Sequence, residues 1–210
     1  MSILRISIVV AGLTFMSLSA AHARSDEMVD ADTVEAVWRV QSLDFAYRGY
    51  TTAYSCSSLR ERLRTILRTV GARHTLTIRT WDCADPSFSA RVQITLASPV
   101  EATPQNVRAL TTYDSKTELI ARVRNERLDT ADDIERFPAV WKTISFAREK
   151  GLNLAPGDCE LVEQLQRDVF PRLSIRVVRD NLHCSSGFGN VGRPQLSVAA
   201  LVAVDDADRR

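Results

Sequence analysis

The sequence predicts an α+β protein of two related β-α-β-β halves on a mixed or antiparallel sheet, stapled by two disulfides. Three observations predict it. Ala36-Val37-Trp38-Arg39 is followed by Cys56, eighteen residues after the Trp, and Ala139-Val140-Trp141-Lys142 is followed by Cys159 at the same interval of eighteen. Each of these cysteines opens a helical apolar stripe. Each helix then leads to a strand-like stretch, Leu76-Thr77-Ile78-Arg79 or Leu173-Ser174-Ile175-Arg176, and on to a second cysteine, Cys83 or Cys184. A recurring interval with a recurring element order is the mark of internal duplication. The register is imperfect. The step from first cysteine to Leu-x-Ile-Arg is six residues shorter in the second half, and the step to the last cysteine is four longer.

The N-terminus reads as a secretory signal. Arg5 is a positive n-region, Ile6 to Leu18 is mostly apolar, and Ala21-His22-Ala23 is a small-x-small cleavage site. A membrane anchor needs about 20 apolar residues, and Thr14, Ser17 and Ser19 interrupt the run. The expectation is cleavage near Ala23 and a periplasmic or secreted protein with no transmembrane segment. Losing Arg5 from the 27 basic side chains leaves 26, equal to the 26 acidic ones. A balanced chain excludes global attraction to nucleic acid or anionic membrane. All four cysteines follow the signal, and an even count in an oxidising compartment reads as two disulfides. Three pairings are open to four cysteines. The repeat selects Cys56–Cys83 and Cys159–Cys184, each contributing about 3.5 kcal/mol by chain entropy.

The elements follow in order. Residues 1–23 are the signal, 24–100 the first half, 101–138 a spacer and 139–210 the second half, the halves packing as one domain. Val37 to Tyr47 is a strand whose apolar alternation changes phase, so a bulge is expected near Gln41-Ser42. Arg48-Gly49 is a turn. Leu59, Leu63, Ile66, Leu67 and Val70 form one helical stripe, capped by Ser57 or Ser58 and stopped by Gly71. Thr75 to Trp81 and Ala90 to Ala97 are strands, separated by an Asp85-Pro86 turn. In the spacer, Leu119, Ile120 and Val123 suggest a short helix behind Asp114 or Ser115, and Thr130 to Arg136 a helical turn ended before Pro138. Val140 to Ala147 is a strand. Pro156-Gly157-Asp158 leads into a helix striped by Leu161, Val162, Leu165, Val169 and Phe170 and ended by Pro171. Leu173 to Val178 and Leu196 to Val204 are the last strands.

Tyr54-Ser55-Cys56-x-x-Leu59, Gly71-Ala72-Arg73 and Gly157-Asp158-Cys159-Glu160-Leu161 resemble an uncharacterised family of exported proteobacterial proteins over about residues 36–204. The resemblance implies an exported compartment and a disulfide pattern. It implies no catalytic residue.

Candidate chemistry is sparse. His74 sits at a helix-to-strand junction. His183 precedes Cys184, and a Cys-His nucleophile would need that thiol free. No Cys-x-x-Cys or His-x-x-x-His spacing offers a zinc site. Gly187-Phe188-Gly189-Asn190-Val191-Gly192 matches G-x-G-x-x-G, but a strand rather than a helix follows, so it reads as a connecting loop and no cofactor is expected. Asp132-Asp133, and Asp158 with Glu160, fit helix N-termini. Asp82, between Trp81 and Cys83, is an acid an aromatic neighbour could desolvate.

Charge is more informative. Cys56 to Arg79 holds six arginines and one glutamate, whereas Asp158 to Asp168 holds Asp158, Glu160, Glu163 and Asp168 against Arg167. A basic face can be a solvated surface, a partner for the acidic helix, or a docking site for an anion, where arginine's planar fork suits phosphate or carboxylate. The leading expectation is a non-enzymatic envelope binding module. It would engage a protein or an anionic envelope component through Arg60, Arg64 and Arg68, or through the loop Ser185 to Arg193. The alternatives are a small secreted hydrolase with a site between the halves, tested first at Asp82 and His183, and a structural, self-associating envelope protein.

Overall fold

The computed structural model describes residues 33–184 and 193–204. The expected signal segment and the glycine-rich loop Gly187–Gly192 lie outside the described residues.

The chain runs β1 (Thr33–Arg48), α1 (Cys56–Thr69), β2 (Thr77–Trp81), β3 (Ser89–Glu101), α2 (Pro104–Leu110), α3 (Ser115–Arg124), β4 (Arg136–Ser145), α4 (Cys159–Asp168), β5 (Arg176–Asp180) and β6 (Leu196–Ala203). Single 3-10 turns at Pro156–Asp158 and Phe170–Leu173 bracket α4. The strands form one six-stranded sheet in the order β2-β3-β1-β4-β6-β5. Every neighbouring pair is antiparallel. Because β1 and β2 both run against β3, they are parallel to each other with β3 between them, and α1 spans the crossover. β4, α4 and β5 stand in the same relation to β6. The expected fold class is therefore met as α+β with an antiparallel sheet. Both expected disulfides are present, Cys56–Cys83 and Cys159–Cys184, at sequence separations of 27 and 25. Each ties the first residue of a helix to the segment beyond the strand that the helix leads into.

The core lies between the helices and one face of the sheet. Leu59, Leu63, Ile66 and Leu67 of α1 and Leu161, Val162 and Leu165 of α4 pack on Leu43, Phe45, Val92, Ile94, Ile144 and Val198. These are the predicted stripes of both helices and the alternating residues of four strands. Truncating one such fully buried leucine to alanine costs about 2–5 kcal/mol. No helix among the described residues is long and apolar enough to cross a membrane.

Several local expectations are corrected. There is no bulge at Gln41-Ser42: β1 and β3 pair in one continuous register from Ala36↔Glu101 to Arg48↔Ser89. The change of phase arises because both faces are covered at this end of the sheet. Neighbouring residues of a strand point to opposite faces. Ala36 packs with Ala139 and Leu201, and Val37 with Val100 and Val107 of α2. The cap of α1 is Ser55, whose side chain accepts the Ser58 amide, because the helix begins at Cys56 itself. Gly71 does end α1, at φ +98°, and a Cβ there would stand 2.4 Å from the Leu201 carbonyl oxygen. The spacer is narrower than expected and carries two helices, since β3 extends to Glu101 and β4 starts at Arg136. Asp114 caps α3 as foreseen. Residues 131–133 form a turn rather than a helix, and Pro138 lies inside β4, where it faces Glu35 of β1. Leu173 and Ser174 belong to the turn after α4, Ser174 at φ +59°, so β5 starts only at Arg176.

Candidate functional site

The densest polar structure is a clasp between the β1–α1 loop and α4. Leu161 and Leu165 point to the core, so Glu160 and Gln164, one turn apart, share the neighbouring stripe of α4. Both are buried, as is Asp158 before them, with exposures of 5%, 7% and 3%. Gln164 treats Arg48 as a sheet strand would: its Oε1 accepts the Arg48 amide at 2.9 Å and its Nε2 donates to the Arg48 carbonyl at 2.9 Å. Glu160 accepts the Tyr50 amide at 2.9 Å, the Thr51 amide at 3.1 Å and the Thr51 hydroxyl at 3.0 Å. Asp158 accepts the Tyr54 hydroxyl at 2.5 Å and the Ala155 amide at 2.7 Å, and meets Arg62 Nε at 3.3 Å. Arg62 also donates to the carbonyls of Leu152 and Asn153. Buried charge is tolerated when it is this fully hydrogen-bonded.

The clasp shifts the tyrosines. Burial pushes the Tyr54 hydroxyl well above its ordinary value, and the hydrogen bond to Asp158 raises it further. Tyr47, which donates to the Thr52 carbonyl at 2.6 Å, is raised chiefly by burial and then by the charges of Glu160 and Asp158. Asp158 and Glu160 are thus engaged by loop amides, hydroxyls and Arg62, and Glu160 also borders the solvent-open cavity between the loop and α4. Reading them as helix-dipole acids missed this role. The available signal was the Glu160/Gln164 spacing beside the apolar stripe.

The clasp also settles part of the charge contrast between the two helices. Arg62 leaves the basic face and pairs with Asp158, so one intramolecular attraction is realised. Arg60, Arg64 and Arg68 remain on one flank of α1 at one-turn spacing. Arg64 binds Glu61 at 2.5 Å on the same helix, and Arg68 donates to the His74 carbonyl at 3.0 Å. Arg60 has no acidic partner within 4.0 Å among the described residues.

Other sequence candidates separate. Asp82 is exposed at the end of β2, with φ +50°, and pairs loosely with Arg91 at 3.6 Å. His183 is exposed beyond β5, and His74 is exposed after α1. Asp82 and His183 follow the two edge strands, β2 and β5, and no hydrogen bond or ion pair joins them among the described residues. Asp133 is held by Thr130 and Arg127, which keep its carboxyl below the usual range, the Thr130 bonds first. No group of three metal-ligating side chains converges among the described residues. Trp38 stacks on Phe137 with Arg73 above its ring. Trp141 donates to Glu101 at 2.8 Å under Arg176. Both tryptophans are half-buried, and Trp141 also borders a cavity of about 350 Å³.

Two of the solvent-open cavities among the described residues border these groups. One of about 610 Å³ lies between the clasped loop and α4, lined by Arg48, Tyr50, Glu163, Arg167 and Asp168. The other, about 620 Å³, lies on the opposite face of the sheet from α1 and is lined by Asp44, Ala46, Trp81, Asp82 and Arg91. Comparison with protein-family models, with curated proteins and with solved structures found no match.

Proposed function

We propose that the chain is an exported, non-enzymatic binding module of the cell envelope that docks an anionic partner through the arginine flank of α1. The observation that carries this reading is the sorting of the arginines. Arg62 is drawn into the clasp, whereas Arg60, Arg64 and Arg68 stay together on one flank, where Glu61 is the one acid paired with them among the described residues. Guanidinium groups at one-turn spacing suit a row of carboxylates or phosphates. Two disulfides in a chain without a free cysteine favour an oxidising compartment, periplasmic or secreted. A rigid, clasped scaffold suits a module that presents a surface.

A second element of the reading is that residues 33–101 and 136–203 descend from one β-α-β-β unit. The repeated element order, the mirror-related strand order and the matching disulfide positions support it. The test of the function is charge reversal. Arg64→Glu combined with Arg68→Glu should leave the thermal unfolding transition in place and abolish capture of crosslinked partners in intact envelopes. Undiminished capture would remove the arginine flank from the account. A captured acidic protein and a captured anionic envelope component are distinguished by protease treatment of the adduct.

A further inference from the structure

The face of the sheet turned away from α1 carries a built surface that the arginine flank does not explain. Register fixes its composition. Trp81 of β2 stands opposite Arg91 of β3, which stands opposite Ala46 of β1. Two residues along each strand, Arg79, Gln93 and Asp44 form the next row, and Thr77, Thr95 and Ser42 the third. Alternation puts all nine side chains on one face. Their core-facing neighbours, Ile78, Val92, Ile94, Leu43 and Phe45, are buried against the helices. With strands about 4.8 Å apart and a rise of about 3.4 Å per residue, the platform measures roughly 10 by 14 Å.

The platform has the chemistry of a saccharide site. Trp81 is 46% exposed at one corner, an aromatic plane with no ring partner among the described residues, over which the C–H face of a pyranose can lie. Beside it the groups are planar and fork-shaped: the guanidinium groups of Arg91 and Arg79, the amide of Gln93 and the carboxylates of Asp44 and Asp82. Such groups bind vicinal hydroxyls two bonds at a time. Thr95 and Ser42, 3.2 Å apart, add hydroxyls at the far end. The rim is concave, enclosing about 620 Å³ between Asp44, Trp81, Asp82 and Arg91, within the size range of small-ligand sites. Charge decides among ligand classes. Asp44 and Asp82 balance Arg79 and Arg91, so a polyphosphate gains little net attraction and a neutral ligand loses none. Asp82 adopts a left-handed φ of +50° beside Cys83, whose disulfide anchors this end of the strand to α1. A pre-set corner of this kind lowers the ordering cost of binding.

We propose that the Trp81–Arg91–Asp44 face binds a short neutral oligosaccharide, with Trp81 as the stacking platform and Arg91, Gln93 and Asp44 as the hydroxyl-reading groups. The site is on the other side of the sheet from Arg60, Arg64 and Arg68, so it stands or falls independently of the arginine flank. The experiment titrates the disulfide-intact protein with cellotetraose, maltotetraose and chitotetraose. It follows Trp fluorescence and calorimetric heat, with inorganic phosphate as control. The expected result is saturable binding of at least one tetrasaccharide in the micromolar to millimolar range. Trp81→Ala should weaken it at least tenfold and Trp81→Tyr by less. Gln93→Ala should weaken it severalfold, with unchanged far-ultraviolet circular dichroism in each variant. The Arg64→Glu, Arg68→Glu variant should bind as the native protein does. Failure of all three sugars to bind at 10 mM overturns the proposal. So does binding that survives Trp81→Ala, and so does a response to phosphate alone.

Discussion

Replacing Glu160 by alanine tests the clasp most severely. The carboxylate is 5% exposed and accepts three donors, the amides of Tyr50 and Thr51 and the Thr51 hydroxyl, at 2.9, 3.1 and 3.0 Å. A hydrogen bond to a charged group contributes about 1.5–3 kcal/mol, which bounds the three together at about 4.5–9 kcal/mol. Two effects reduce that figure. The carboxylate no longer has to be desolvated. Tyr50 and Thr51 are themselves exposed, so water can reach the released amides. The net loss should be about 2–4 kcal/mol, a large part of a typical domain's stability of about 5–15 kcal/mol. Equilibrium urea unfolding of the oxidised protein is the assay. With a slope near 2 kcal/mol/M, the midpoint should fall by about 1–2 M with the slope unchanged. Glu160→Gln should lose less, because one acceptor oxygen remains. Hydrogen exchange should then show the Tyr50 and Thr51 amides opening before the core of α1. A midpoint shift below about 0.25 M would refute the clasp as a structural element, since it would amount to about 0.5 kcal/mol on the same slope.

Three further outcomes follow from the same structure. Tyr54 and Tyr47 have raised pKa values in the fold, so the protonated hydroxyl is the stabilising form. Their contribution is complete below their ordinary value of 10.0 and is lost as pH rises past it. Alkaline unfolding should therefore begin above about pH 10, and Tyr54→Phe should flatten the decline in stability with pH; an unchanged slope would contradict the assignment. Gly71→Ala should cost about 2 kcal/mol or more, because φ +98° is strained for alanine and its Cβ would meet the Leu201 carbonyl; a loss under about 0.5 kcal/mol by thermal unfolding would show that the turn relaxes. Removing either disulfide as a double Cys→Ala variant should cost about 3.5 kcal/mol, nearly equal for the two loops of 27 and 25 residues; a difference above about 2 kcal/mol would show that more than chain entropy separates them.

Much of the fold was legible because its signals are local. The stripe from Leu59 to Val70 and the alternation Val92, Ile94, Leu96 are period signals, and both are realised. The two disulfides were legible because the Trp-to-Cys interval recurs. What was missed depends on long-range covering. Trp38 and Leu43 fall out of phase in sequence, and nothing local reveals that α2 and the β4–β6 cluster cover both faces of the sheet around Ala36 and Val37. The clasp was illegible for a related reason. Glu160 finds Tyr50 and Thr51 more than 100 residues away, and an acid at a helix start has a sufficient local explanation in the dipole. The arginine face was half legible. Spacing placed Arg60, Arg64 and Arg68 together, but only the fold withdraws Arg62 to Asp158. The Trp81 platform needed the β2-β3-β1 register, which single strands do not specify.

The claim that α1 is the docking surface is tested most directly by a photoreactive side chain at Thr65, on the outward side of α1 near Arg64 and Arg68, in intact cells of the native host. A second copy of the probe at Glu126, beyond α3, is the control. The account predicts a discrete adduct from Thr65, absent from Glu126 and lost when Arg64 and Arg68 are reversed to glutamate. Equal adducts from both positions, or a Thr65 adduct indifferent to the charge reversal, would contradict it.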